Sequence, residues 1–153
     1  MEVEASCVSA PPDRLNCRIL LVEDDYDHQP LLSLMLRKAG SEVTVAENGK
    51  VAIDRACAAR DAGQPFDMIV MDVQMPVLDG PAATRKLRAD GFTNPIIALT
   101  ARAVSTDRDR CFAAGCDDFL SKPITRVDLV RLLAVHLKRS RADCHAAKSR
   151  SGL

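Results

Sequence analysis

The chain lacks any long apolar run, any excess of one charge and any paired-cysteine motif, and each absence removes a class of function. Its longest apolar stretches, such as Ile19 to Val22 and Met68 to Met71, hold only four residues, far below the roughly 18 to 20 that a membrane helix needs. Insertion of this chain into a bilayer is not expected. Residues 1–16 carry Glu2, Glu4, Asp13 and Pro11-Pro12 in place of the basic start and apolar stretch of a secretory signal, so a cytoplasmic location is expected. The 21 basic and 21 acidic side chains cancel, leaving no basic footprint for nucleic acid. Cys7, Cys17, Cys57, Cys111, Cys116 and Cys144 form no C-x-x-C pair, and no histidine lies near such a pair. They read as reduced packing thiols.

What is there is one ordinary domain: 153 residues, 47% hydrophobic and 27% charged, enough to bury about two thirds of the unfolded surface without staples. Residues 1–16 have no helical or strand period and read as a flexible arm or linker. From Lys138 onward Lys138, Arg139, Arg141, Lys148 and Arg150 stand against Asp143, so 139–153 reads as a basic flexible tail. The domain itself spans 17–138.

Four apolar segments each stop at a polar residue that a core strand does not need. Ile19 to Val22 stops at Glu23-Asp24-Asp25, Met68 to Met71 at Asp72, Ile96 to Leu99 at Thr100, and Phe119 to Ser121 at Lys122-Pro123. A fifth segment, Glu42 to Val45, alternates polar and apolar. Fully apolar short runs suit central strands of a parallel sheet, and alternating or very short ones suit its edges. Helical stretches separate them: Leu31 to Ala39, Val51 to Ala62, Ala82 to Asp90, Thr106 to Ala114 and Asp128 to Leu137. The frame is βα repeated five times, a doubly wound α/β fold. Gly40, Gly91 and Pro81 fall at helix stops and a start, Thr125 with Asp128 resembles a capping box, and Leu129, Leu132, Leu133 and Leu137 make a core stripe.

In open parallel sheets, ligands collect outside the carboxyl ends of the strands, where Glu23, Asp24, Asp72, Thr100 and Lys122 all land. Three adjacent carboxylates raise one another's pKa, and one lysine does not offset them. Magnesium is the natural remedy, since it takes oxygen ligands and needs only one or two carboxylates; Asp24 and Asp72 are the direct ligands expected. Asp24 and Asp25 equally suit a helix start, where carboxylates cap N–H groups or meet the dipole. Asp72 is harder to assign that way, because it ends a central strand before Gln74-Met75-Pro76 and Asp79-Gly80. A carboxylate beside magnesium can act as a nucleophile toward a phosphoryl group and form an acyl phosphate, with the Thr100 hydroxyl and Lys122 ammonium binding phosphoryl oxygens.

The motifs Leu20-Leu21-Val22-Glu23-Asp24-Asp25, Met71-Asp72-Val73-Gln74-Met75-Pro76-Val77-Leu78-Asp79-Gly80, Ala98-Leu99-Thr100-Ala101 and Phe119-Leu120-Ser121-Lys122-Pro123, in that order, resemble the response-regulator receiver domain of bacterial two-component signalling. The likeness runs from about Cys17 to Leu137. It implies a flavodoxin-like five-stranded sheet in the order 2-1-3-4-5. It implies that Asp72 accepts the phosphoryl group and that Glu23 and Asp24 are the acidic metal-binding pair. Glu23 stands where many relatives have Asp and, being longer, would hold magnesium through a water. The Gln74 backbone carbonyl would be a third protein ligand, and manganese could substitute for magnesium. Thr100 and Lys122 match the phosphate-sensing hydroxyl and ammonium. Phe119 matches an aromatic switch whose ring moves inward, although a strand phenylalanine is also plain core. The Lys122-Pro123 peptide matches one that is usually cis, an isomer that only X-Pro bonds make cheap.

The resemblance further implies that Gln74 and Arg102 tune loss of the phosphoryl group. The loop Ala62 to Asp67 resembles receivers of hybrid sensor histidine kinases. Neither terminal segment is long enough for an output domain, so output is expected through a partner or a longer parent chain. The implied partners are a sensor histidine kinase and a histidine phosphotransfer domain. A phosphorylation-dependent homodimer through the fourth-helix to fifth-helix face is a weaker expectation. Two other classes compete. A phosphohydrolase using Asp72 would want a second Asp where Gln74 stands. An FMN-binding flavodoxin-like module would want a glycine- and hydroxyl-rich loop where Glu23-Asp24-Asp25 would repel a phosphate. Finally, Ser105 to Arg110 offers almost no apolar side chain, so its helix should be weakly anchored.

Overall fold

The computed structural model describes residues 15–75, 77–101 and 105–151, with side chains as far as residue 140. Five parallel strands form one sheet in the order β2-β1-β3-β4-β5. They are β1 (Arg18–Val22), β2 (Glu42–Ala46), β3 (Met68–Asp72), β4 (Ile96–Thr100) and β5 (Asp118–Ser121). Burial follows the sequence pattern: every residue of β3 and β4 is buried, while β5 is half-buried throughout and β2 starts exposed. An apolar run is tolerated only where helices cover both faces, so the apolar strands sit inside and the mixed ones at the edges.

The alternation of side chains across the sheet builds two cores. Leu20, Val22, Ile69, Met71, Ile96 and Ala98 face α2 (Gly49–Asp61), α3 (Gly80–Ala89) and α4 (Ser105–Ala114). Ile19, Leu21, Met68, Val70, Ile97 and Leu99 face α1 (His28–Lys38) and α5 (Arg126–Ser151), meeting Leu32 and Leu36 of one and Leu129, Leu133 and Leu137 of the other. The Thr125 hydroxyl accepts the Asp128 N–H at 3.2 Å, which starts α5.

All five helices begin one to three residues earlier than their apolar patterns announce. The reason is visible at α2 and α3, where the Asn48 and Asp79 side chains accept the Val51 and Ala82 N–H groups, each at 2.9 Å. Such caps commit the backbone to the helix before its apolar period begins. At the other end of the chain the helix backbone of α5 continues to Ser151, past the boundary set for a flexible tail. Between Leu137 and Ser151 there is neither glycine nor proline to stop it. The described cysteines Cys17, Cys57, Cys111 and Cys116 are free thiols. Burial pushes the Cys111 thiol up to about 12 and raises Cys116 as well, as befits packing groups. Residues 1–14 of the expected arm, Pro76 and Arg102 lie outside the described residues; Leu15, also expected in that flexible arm, is instead buried beside Leu36 and donates its N–H to the Ala39 carbonyl at 2.7 Å.

Candidate functional site

Because the strands are parallel, their carboxyl ends open on a single edge. Glu23, the residue after β1, is fully buried there. Asp72, which closes β3, is 6% exposed, and Thr100, which closes β4, is buried. Lys122 follows β5 directly. The Lys122 N–H donates to the Thr100 carbonyl at 2.7 Å and the Val73 N–H to the Leu99 carbonyl at 2.8 Å, so the ladders hold these residues in register beyond the strands.

The side chains converge. Lys122 Nζ lies 3.1 Å from Glu23 Oε1 and 3.5 Å from Asp72 Oδ2. The Asp25 N–H donates to Glu23 Oε2 at 3.2 Å, the Gln74 N–H to Asp72 Oδ1 at 3.4 Å, and the Gln29 side-chain amide to the Glu23 carbonyl at 2.6 Å. Asp24 is half-buried and completes the cluster: Glu23, Asp24 and Asp72 each bring a carboxylate oxygen within 4.8 Å of the others. The electrostatics follow from burial. Desolvation first, and the Glu23 charge second, push the Asp72 carboxyl up to about 7, with Lys122 offsetting only part of it. Burial by itself would lower the Lys122 pKa. The hydrogen bond to Glu23 and the charges of Asp72 and Glu23 outweigh it, and the ammonium sits above the ordinary lysine value.

Three carboxylates against one ammonium make a site short of positive charge and lined with hard oxygens. That donor set fits magnesium, which prefers oxygen ligands and keeps several of its waters. The turn after β3 is shaped around the same corner. Val77 has a φ of +72° and is 76% exposed, a strained backbone for a β-branched residue. Asp79 caps α3, and Gly80 follows. A Cβ at Gly80 would lie 2.6 Å from the Asp72 carbonyl oxygen and 3.0 Å from Val73 Cα, so only glycine lets α3 start against the end of β3.

Each described residue picked out from the sequence is thus accounted for. Glu23, Asp24, Asp72 and Lys122 are gathered in one cluster, with Thr100 and Gln74 at its margins. Phe119 stands apart from it on β5, half-buried opposite Ala98. The Lys122-Pro123 peptide is cis. Sequence reasoning missed His28, whose Nδ1 lies 3.5 Å from Lys122 Nζ and 3.4 Å from Asp25 Oδ2. Its spacing of three from Asp25 at a helix start was the only signal available.

Comparison with known proteins agrees with this geometry. Residues 19–134 match the family model for the response regulator receiver domain. The chain is 44% identical over 119 residues to a two-component response regulator of Oryza sativa, an alignment covering 76% of this chain and 91% of that protein. It is 41% identical over 118 residues to an osmosensing histidine protein kinase of Saccharomyces cerevisiae, covering 76% of this chain but 10% of the kinase. A solved receiver domain of a sensor histidine kinase from Pseudomonas aeruginosa, with magnesium coordinated in its active-site cleft, superposes with a TM-score of 0.72 at 42% identity. That match covers 81% of this chain and 99% of the other.

Proposed function

This chain belongs to the response regulator receiver domain family of two-component signalling, and from that membership we propose that Asp72 is its phospho-acceptor. The observation that carries the reading is the buried Asp72 carboxylate, held between Glu23 and Lys122 at the open ends of the strands.

In the step proposed, a P–N bond to a histidine of the donor breaks as an Asp72 oxygen forms a P–O bond, and the imidazole nitrogen keeps the electron pair. Asp24 and Asp72 would bind magnesium directly, Gln74 through its carbonyl and Glu23 through a water. When bound, the ion supplies the positive charge that neutralises the incoming phosphoryl oxygens. Lys122 already lies 3.5 Å from Asp72 and would take one phosphoryl oxygen by a charge-assisted bond; the Thr100 hydroxyl would take another. Phe119 would be the half-buried aromatic that answers movement of Thr100. The chain itself turns over nothing beyond its own phosphorylation and dephosphorylation.

The donor is a histidine kinase or a histidine phosphotransfer domain. Beside Lys122, Pro123 and Ile124 meet Leu31 and Leu32 of α1 in an open groove, and Leu31 and Leu34 present exposed apolar surface on that helix. A donor helix laid there would bring its histidine to Asp72. The test is the intact mass after incubation with acetyl phosphate and magnesium. A gain of one phosphoryl group that is lost in Asp72→Asn and in metal-free buffer supports the acceptor. No gain from acetyl phosphate or from any phosphorylated histidine donor would overturn it.

A further inference from the structure

Where α4 meets β5 the molecule carries an arrangement that the phosphorylation chemistry does not require. On α4, Arg108 and Phe112 are four residues apart and therefore share a helix face. Phe112 is 40% exposed and meets the Phe119 ring edge-on, with centroids 6.2 Å apart and planes at 90°. The Arg108 guanidinium lies over both rings, 5.2 Å from the Phe119 centroid and 5.8 Å from that of Phe112. Among the described residues Arg108 makes no ion pair, whereas Arg110 of the same helix is paired with Asp79 and Asp107. Its charge is thus committed to the aromatic faces.

The position matters because α4 has little else to hold it to the sheet at this point. Its buried residues are Asp107, Cys111 and Ala114, and Asp107 Oδ2 is buried with no hydrogen-bond partner. The helix therefore gains no apolar anchor in its first turn, and the guanidinium over Phe119 is a direct link from that stretch to β5. A cation over a ring opposes any movement of the ring away from it.

We propose that Arg108 is a positioning residue: with Phe112 it clasps the Phe119 ring in its half-buried place, and so sets how readily the β5 face rearranges when Asp72 is loaded. The proposal rests on the reading of Asp72 as acceptor and Phe119 as the responding aromatic. Loading the site must break or reshape the clasp, so its strength enters the apparent affinity for the loaded state. Weakening it releases Phe119 beforehand and favours loading.

The test uses beryllofluoride with magnesium, a mimic of a phosphoryl group on a carboxylate, and protein carrying 4-fluorophenylalanine. The 19F signal of Phe119 is identified by its loss in Phe119→Leu. Wild type is expected to bind with a shift of that signal. Arg108→Gln should bind about two- to fivefold more tightly, the range of an exposed cation–π contact, with its unliganded Phe119 signal displaced toward the bound position. Arg108→Lys should fall between the two. In a Phe119→Leu background, Arg108→Gln should leave the affinity unchanged, which a merely structural role would not produce. Unchanged affinity in Arg108→Gln, or an equal change with and without Phe119, would overturn the clasp alone. Failure of wild type to bind would overturn the acceptor reading and the clasp with it.

Discussion

The two ends of the sheet are built on opposite electrostatic terms. At the carboxyl end Glu23, Asp24 and Asp72 crowd together against one ammonium, and the burial that brings them close makes their repulsion felt. At the amino end a single guanidinium is matched to its surroundings. Arg88 of α3 donates twice to the Gly115 carbonyl at 3.0 and 2.9 Å, to the Phe92 and Asn94 carbonyls at 2.8 Å each, and to Asp117 Oδ2 at 2.8 Å. The same Asp117 oxygen accepts the Ile96 N–H at 2.9 Å, where β4 begins. Nearby, His136 Nε2 meets Asp118 Oδ2 at 2.9 Å. One end is left unbalanced, so that something arriving there is held, and the other is closed on itself.

The contrast is broken or sharpened most by removing its two centres. Arg88→Met strips five hydrogen bonds from three carbonyls and a carboxylate; it should cost about 2–4 kcal/mol in urea unfolding while leaving phosphoryl incorporation from acetyl phosphate intact below the transition. A loss of function without a loss of stability would refute the division of labour. Asp72→Asn should do the reverse in magnesium-free buffer at neutral pH, raising stability by about 1–2 kcal/mol as the repulsion with Glu23 disappears. A destabilised variant would mean that the Lys122 contact dominates.

The same burial and repulsion are read independently in pH. Without magnesium, folded Asp72 keeps its proton up to about 7, against an ordinary value of 3.8. The folded state therefore binds the extra proton between those limits, and its contribution to stability is lost as pH rises through about 7. Thermal midpoints should fall across that window in wild type and stay level in Asp72→Asn; a rise would contradict the assignment. The smallest difference lies between helices. Amides of α4, with three buried residues, should exchange hydrogen faster than those of α5 around Leu129, Leu133 and Leu137, and equal protection would show that the Asp79–Arg110 and Arg108–Phe119 links anchor α4 fully.

The carboxyl end of the sheet was legible in the sequence and the amino end was not, for a physical reason. Apolar strands that end in Glu23, Asp72, Thr100 and Lys122 announce themselves, because a charged or polar residue closing a core run has no packing explanation. Which strands lie inside was readable from which runs were wholly apolar, whereas the order 2-1-3-4-5 came from the family resemblance. Arg88 left no such trace: four of its five contacts go to backbone carbonyls, which every residue offers. Arg108 looked like one more charge in a polar stretch that was expected to be weakly anchored, yet Asp107 is buried within it. The starts of α2 and α3 were set by Asn48 and Asp79, polar residues outside the apolar period. The length of α5 was missed because a basic, stripe-free segment was equated with a tail, although it holds no glycine or proline to break the helix.

The exposure of Asp72 has a consequence for traffic. With 6% of its surface open, Asp72 offers little surface to anything outside, and with Asp72 as the proposed acceptor a donor bringing the phosphoryl group, a phosphotransfer partner taking it onward and a hydrolysing water must all reach it through that small opening. Occupancy by one excludes the others. The dwell time of the signal then becomes a property of the doorway as much as of the bond, set by whichever partner stands in it and for how long.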